Sequence, residues 1–272
     1  MLGFPCHMLD TGVLVLNRVY QPVHITSVRR AFALLYQGAA RAIDEEFKLF
    51  DFESWAALAA AAHHDAVGTV GRRIRVPRVI VLGHSISGML AIEYARRRPD
   101  TVSHAIVVGT PPKGDMAALV AQSTAYFQAH ASDERKQLLQ ENLSKLPPGT
   151  PPGQAVFAQT PMRFFDPRFD APALFTGANP RPEILMHLMS TLGPTWDATA
   201  GADLRTPLLI AHGRHDYTVP HVLWDDVIIR LPTATKRIFD RSGHQPFVEE
   251  PERFTSEVTS WLRESTPAPA SH

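Results

Sequence analysis

The residues best suited to chemistry in this sequence are a serine, an aspartate and a histidine that each follow a predicted buried strand. Ser85 follows the apolar run VIVL, Asp216 follows TPLLIAHG and His244 follows TKRIFD. A serine hydroxyl becomes a good nucleophile only when a base accepts its proton and an acid orients that base. Because parallel strands present their carboxyl ends at one sheet edge, we expect the three side chains to converge there. The order serine, acid, histidine predicts nucleophilic catalysis.

The segment GHSISG around Ser85 has the composition of a sharp strand-to-helix turn. Such a turn strains its corner residue and needs small neighbours so that strand and helix can pass closely. The usual pattern is Gly-x-Ser-x-Gly, but here Ser87 takes the place of the second glycine and Gly88 follows. We expect the backbone N–H of Ile86 to be one oxyanion donor. Taken alone, the segment is also compatible with an ordinary turn that carries a capping serine.

The elements that must position these residues alternate between strands and helices. Strands are predicted over 13–17, 77–82, 103–110, 206–213 and 235–240, and helices over 52–67, 221–232 and 251–265. A further helix is predicted to begin at an N-cap at Thr26 or Ser27 and to stop near Gly38. Residues 111–203 are rich in proline and helical stretches and are predicted to form an inserted helical cap. The alternation indicates an α/β fold with a mostly parallel sheet.

From about residue 79 to 265 the sequence resembles the C-terminal two-thirds of an α/β-hydrolase. GHSISG matches the nucleophile elbow, GRHDYTVP the acid loop and SGHQPFVEEPERF the histidine loop, and VVGTPP and FFDPRFDAPALF are similar to proline-iminopeptidase-like members. The resemblance implies that Ser85 attacks a small ester or amide, peptides included, that His244 transfers the proton and that Asp216 orients His244. It implies no cofactor and no metal. An aminopeptidase would also need an acidic group in the cap, for which the candidates are Asp166, Asp170 and Glu183.

Residues 8–82 instead resemble the segment that precedes the catalytic core of bacterial HNH endonucleases. Those nucleases carry a cysteine-rich zinc cluster and a His-Asn-His core, and the single cysteine here, Cys6, cannot build that cluster. His63 and His64 are adjacent on a predicted helix, point to different sides and make poor co-ligands. We therefore predict an N-terminal segment, 1–78, without a catalytic core, joined to a hydrolase portion, 79–265.

This junction leaves the predicted site incomplete. The second oxyanion donor of the family normally lies in an HG-type loop after an early strand, and no such motif occurs in residues 1–78. The early strands of the family are atypical or missing in the same region. Two alternatives to a working hydrolase therefore stay open: an inactive α/β scaffold, and a nucleic-acid-binding remnant of an endonuclease. The arginines that motivate the second alternative are Arg29, Arg30, Arg72, Arg73 and Arg75.

Composition excludes several other classes. Basic and acidic residues are balanced at 27 each, which argues against nucleic acid or an anionic membrane as the main partner. No apolar run reaches the ~18 residues of a membrane-spanning helix. The first ten residues lack the features of a signal peptide, and the lone Cys6 fits a reducing compartment, so we expect a cytoplasmic protein. The tail, 266–272, is predicted to be disordered, and the sequence gives no oligomeric state.

Overall fold

The computed structural model describes residues 12–16, 22–43, 48–58, 66–69, 72–75, 79–99, 102–150, 152–174, 182–191, 193–201 and 203–265. The chain divides into two compact units. One comprises Met1–Ile80, Arg98–His104 and Trp261–His272, and the other comprises Val81–Arg97 and Ala105–Ser260. Cys6, His63, His64 and the tail 266–272 lie outside the described residues, so the predictions made for them stay predictions.

The first unit contains short antiparallel strand pairs and two helices. The pairs are β1 (Gly12–Leu16) with β2 (Pro22–Ser27), β3 (Ala42–Ile43) with β4 (Leu49–Phe50), and β5 (Ala66–Thr69) with β6 (Arg72–Arg75). Helix α1 (Val28–Tyr36) begins after Ser27, whose hydroxyl accepts the backbone N–H of Arg30. This confirms the predicted cap. Helix α2 (Phe52–Leu58) packs against α1 through a cluster of Leu35, Trp55 and Ala56.

The predicted helix 52–67 is wrong at its end. Its first part is α2, but residues 66 and 67 belong to β5, which pairs with β6. The β-branched residues Val67 and Thr69 favour an extended backbone. The alanine-rich composition before this hairpin therefore overstated the length of the helix.

The sheet that carries the predicted site has four strands in the order β10-β9-β8-β7. They are β7 (Val79–His84), β8 (Val102–Val108), β9 (Leu208–Gly213) and β10 (Ala234–Phe239). Strand β9 pairs in parallel with both β8 and β10. Every residue of β9 and nearly every residue of β8 is buried, as expected for central parallel strands covered by helices. The predicted α/β class with a parallel sheet is confirmed.

Helices follow or interrupt the sheet as the sequence predicts. Helix α3 (Ser87–Arg97) follows β7 directly. The described part of 111–203 contains α4 (Met116–His130), α5 (Asp133–Ser144), α6 (Pro152–Ala158), α7 (Thr160–Arg163), α8 (Ala171–Leu174) and α9 (Pro182–Thr191). The C-terminal portion contains α10 (Asp225–Ile228), α11 (Pro246–Glu249) and α12 (Pro251–Ser265). Within the described ranges, none of these helices has the length and apolar character needed to cross a membrane.

The predicted helix 221–232 is also shorter than expected. It consists of a 3-10 turn, His221–Trp224, and a single α-helical turn, α10. The indole of Trp224 is buried and its N–H donates to the carbonyl of Thr110, 2.8 Å away. We attribute the tight first turn to this anchor, and the early end of α10 to the low helix propensity of Val227 and the two isoleucines after it.

Candidate active site

Ser85 occupies a strained corner between β7 and α3. Its φ angle is 56°, and no other non-glycine residue in the described ranges has a positive φ. Its backbone N–H donates to the carbonyl of Val108 at 2.7 Å, and its own carbonyl accepts the hydroxyl of Thr110 at 2.8 Å and the N–H of Gly88 at 3.0 Å. A residue keeps such a strained conformation only where several contacts hold it, and here three hydrogen bonds hold Ser85.

The close packing around this corner depends on two glycines. A Cβ at Gly83 would lie 2.5 Å from the Cα of Gly88, and a Cβ at Gly88 would lie 1.9 Å from the hydroxyl oxygen of Thr110. Ser87, by contrast, is exposed. The departure from Gly-x-Ser-x-Gly is therefore harmless, because the close approach falls at Gly88 and not at residue 87.

Asp216 and His244 form a fully buried hydrogen-bonded pair. The Nδ1 of His244 lies 2.7 Å from Oδ2 of Asp216. The other carboxylate oxygen of Asp216 accepts the backbone N–H groups of Thr218 and Val219 at 3.0 and 2.8 Å. A carboxylate partner assigns the proton to Nδ1, which leaves Nε2 as a proton acceptor. Among the described residues Nε2 has no hydrogen-bond partner, so the structure contains no hydrogen bond between this nitrogen and the hydroxyl of Ser85.

Burial controls the charge of this pair. Burial raises the pKa of Asp216 to about 6, and the pKa of His244 is lowered well below 6.5 by burial and by the Arg163 guanidinium. At neutral pH the carboxylate is therefore ionised and the imidazole is neutral. That is the protonation state in which Nε2 can take a proton from a hydroxyl.

Two residues bring the histidine close to the elbow. Gly109 follows Val108, which binds the N–H of Ser85, and a Cβ at Gly109 would lie 2.8 Å from Nδ1 of His244. His84 precedes Ser85, and the centroid of its ring lies 4.7 Å from that of His244. The Nε2 of His84 is 3.0 Å from the His244 carbonyl, and burial lowers the pKa of His84 to about 3, so the neutral ring donates this bond.

A short cap segment, residues 161–165, packs against the loops that carry the acid and the base. The carbonyl of Met162 accepts the N–H of Tyr217 at 2.9 Å, and the carbonyl of Arg163 accepts the N–H of His244 at 2.6 Å. The buried guanidinium of Arg135 in α5 holds the cap segment from the other side. It donates to the carbonyls of Pro161, Phe164 and Phe165 at 2.7–2.8 Å.

Glu249 joins the same cap segment to the histidine loop. Its two carboxylate oxygens accept the backbone N–H of Phe165 at 2.6 Å and that of Gly243 at 2.8 Å. Burial raises the pKa of Glu249 to about 7. Gly243 must be glycine for this packing, because a Cβ there would lie 2.2 Å from the carbonyl oxygen of Arg163.

The structure thus places all four predicted site residues, Ser85, Ile86, Asp216 and His244, at the carboxyl ends of sheet strands, and joins the last two directly. Ile86 immediately precedes α3, where backbone N–H groups have no partner within the helix. The acidic cap candidates Asp166, Asp170 and Glu183 are exposed. In the part of the chain that is described, no group of histidine, cysteine or acidic residues could hold a metal ion.

Several residues of the site were not predicted from the sequence. Gly109 and Thr110 lie at the end of the predicted strand 103–110, and Glu249 lies in the histidine-loop motif. These positions could have indicated that the three residues lie near the site. Nothing in the sequence around Arg135 or Arg163 marks either one, since both contacts depend on how the cap folds back.

Comparisons with known proteins identify the family. The family model of the serine aminopeptidases, S33 (Hydrolase_4), matches residues 59–251. The chain belongs to this family of α/β hydrolases. The N-terminal domain associated with HNH endonucleases matches residues 13–87 of this S33 hydrolase. Both resemblances found in the sequence are thereby confirmed, as is the prediction of a hydrolase-type enzyme.

Individual relatives of this S33 hydrolase are hydrolases and esterases. It is 33% identical to the AB hydrolase superfamily protein YclE of Bacillus subtilis (strain 168), over 70% of each chain. It is 25% identical to the pimeloyl-[acyl-carrier protein] methyl ester esterase of Vibrio vulnificus (strain YJ016), over 68% of this chain and 70% of that one. Proline iminopeptidase of Mycobacterium smegmatis shares the fold, with a TM-score of 0.52 and 21% identity over 70% of this chain and 67% of that one.

Proposed function

We propose that the protein hydrolyses small carboxylic esters with Ser85 as nucleophile, His244 as general base and Asp216 as the residue that orients the base. The observation that supports this most strongly is the buried Asp216–His244 hydrogen bond, which leaves Nε2 of His244 as a proton acceptor. His244 packs against Gly109, the residue after Val108, whose carbonyl accepts the N–H of the strained Ser85. We favour esters over peptides because the acidic cap residues that would bind an amine are exposed.

In the proposed reaction, Nε2 of His244 accepts the hydroxyl proton as the oxygen of Ser85 attacks the ester carbonyl. The tetrahedral intermediate carries a negative oxygen, to which the backbone N–H of Ile86 donates. The intermediate then collapses, the alcohol leaves with the proton from His244, and the acyl group stays on Ser85. The same histidine next activates a water molecule, which releases the acid and restores the serine. Asp216 stabilises the imidazolium in both halves of the reaction.

A fluorophosphonate probe tests the nucleophile directly, because it labels only an activated serine. We expect covalent labelling of the parent protein, loss of labelling in Ser85→Ala and at least a 100-fold slower reaction in His244→Ala. Ser87→Ala is the matched control, since Ser87 lies two residues away and is exposed. It should label as the parent does. A folded parent protein that fails to react, or a Ser85→Ala variant that still does, contradicts the proposal.

The match to the endonuclease-associated domain favours a second candidate function, binding of nucleic acid by residues 13–87. Arg29 and Arg30 at the start of α1 are exposed and could contact phosphates. A mobility shift of duplex DNA that weakens steeply between 50 and 200 mM salt would support this candidate. No shift at 50 mM salt would reject it.

A further inference from the structure

One arginine near the proposed site, Arg163, has no hydrogen-bond or ion-pair partner among the residues that the structure describes. Five arginines whose side chains are described are not fully exposed, and four of them donate hydrogen bonds to carbonyl or carboxylate oxygens: Arg96, Arg135, Arg237 and Arg253. The fifth, Arg163, is half-buried, and among the described residues its guanidinium forms neither a hydrogen bond nor an ion pair. Withdrawing a guanidinium from water without a partner is unfavourable, so this arrangement indicates a ligand.

The position of Arg163 links it to the reacting groups. Its carbonyl accepts the N–H of His244 at 2.6 Å, so the residue lies directly against the proposed base. Its guanidinium charge also acts on the site: after burial, it is a further cause of the lowered pKa of His244 and of His84, and it opposes the rise that burial gives the pKa of Asp216. Asp216 is the one acidic group that acts on Arg163 in return, and that carboxylate is already occupied by His244 and two backbone N–H groups.

We propose that Arg163 binds a carboxylate carried by the acyl chain of the substrate, so that the enzyme prefers half-esters of dicarboxylic acids to neutral esters. This inference rests on the proposed esterase function and adds a substrate class to it. A guanidinium presents paired N–H donors that match the two oxygens of a carboxylate, and in a partly desolvated site such charge-assisted bonds are strong.

The test compares monomethyl adipate with methyl hexanoate, which differ only in a carboxylate that replaces the terminal methyl group. We expect the parent enzyme to have a kcat/KM at least tenfold higher for monomethyl adipate, measured by proton release at pH 7.5. Arg163→Gln should lower the preference, which is the ratio of the two kcat/KM values, about 10- to 100-fold, the effect of losing a hydrogen bond to a charged group. Arg163→Lys should retain part of the preference, because it keeps the charge.

Arg168→Gln is the matched control, since Arg168 lies in the same part of the cap but is exposed and paired with Glu134. It should leave both rates unchanged. Calorimetry can measure the binding of monomethyl adipate to Ser85→Ala and to the double variant Ser85→Ala/Arg163→Gln. This comparison measures the same contact without catalysis and separates the two proposals. If neither ester is hydrolysed but the carboxylate binds through Arg163, the proposed esterase function fails and the binding of a carboxylate by Arg163 stands. Equal kcat/KM for the two esters in the parent, or an equal loss for both in Arg163→Gln, would overturn the inference.

Discussion

At the scale of single residues, the site depends on backbone conformations that few residue types adopt. Ser85 has a φ of 56° and is held by hydrogen bonds to Val108, Thr110 and Gly88. Gly109 also has a φ of 56°, and it lies so close to His244 that no side chain fits. Ser85 and His244 are therefore both positioned by the same short stretch at the end of β8, residues 108–110.

Replacement of Gly109 tests this arrangement. Gly109→Ala should destabilise the protein by about 1–2 kcal/mol, the typical penalty for a Cβ at positive φ, and should also lower kcat about 100-fold by displacing His244. Gly149→Ala is the matched control, because Gly149 has a φ of 79° and no atom within 4 Å of the added Cβ. Urea unfolding and ester hydrolysis measure the two effects. Equal kcat in both variants would mean that Gly109 does not position the histidine.

The pKa of Asp216 sets the expected acid limit of activity. Because this pKa is raised to about 6, protonation of the Asp216–His244 pair below that pH removes the base, and kcat/KM should fall about tenfold per pH unit. The plateau should lie above about pH 7. Since the pKa of Glu249 is raised to about 7, the profile should be repeated with Glu249→Gln. The acid limb should stay near pH 6 in that variant, and its disappearance would assign the limb to Glu249.

At the scale of elements, the cap segment 161–165 connects the catalytic loops to one another. Its carbonyls accept N–H groups from Tyr217 in the acid loop and from His244 in the histidine loop. Arg135 holds the segment from α5, and Glu249 holds it from α11. The cap segment therefore supports His244, the residue that we propose to be the general base.

Arg135→Gln should show the strength of that support. It removes three charge-assisted hydrogen bonds and leaves buried carbonyls without partners, so we expect a loss of at least about 3 kcal/mol in the free energy of unfolding. Arg168→Gln, which breaks an exposed ion pair with Glu134, should cost less than about 1 kcal/mol. Urea unfolding followed by circular dichroism measures both. Similar values for the two variants would contradict the role assigned to Arg135.

At the scale of the whole molecule, stability in acid depends on buried histidines. His212 lies in β9 at 0% exposure, and neither ring nitrogen has a partner among the described residues. Burial lowers its pKa from 6.5 to about 4. On acidification His212 takes up its proton near pH 6.5 in the unfolded protein but only near pH 4 in the folded one. The proton therefore favours the unfolded state, and the free energy of unfolding falls as the pH drops below about 6.5.

His212→Leu should remove this sensitivity. The difference in unfolding free energy between pH 7 and pH 5 should shrink by about 2 kcal/mol, because the leucine cannot bind the proton and the imidazole gave up no hydrogen bond. The exposed His187 on α9 provides the control, and His187→Leu should leave the difference as it is in the parent. Urea titrations at the two pH values measure it. An unchanged difference in His212→Leu would place the acid sensitivity elsewhere.

The sequence by itself predicted the α/β class with a mostly parallel sheet, and it marked the three residues that we propose to be catalytic. Ser85, Asp216 and His244 each follow an apolar run, and parallel strands bring such positions to one edge whatever the details of the helices. The prediction from sequence failed where local composition was ambiguous, as in the alanine-rich segment 52–67, whose last residues belong to β5 and not to a helix.

Only the tertiary structure determined how these residues are held. The contacts of Gly109, Arg135, Arg163 and Glu249 join segments that lie far apart in the chain, and a contact of that kind leaves no periodic pattern in the sequence. The guanidinium of Arg163 is the clearest case, because its lack of a partner among the described residues depends on the segments around it and not on residue 163 itself.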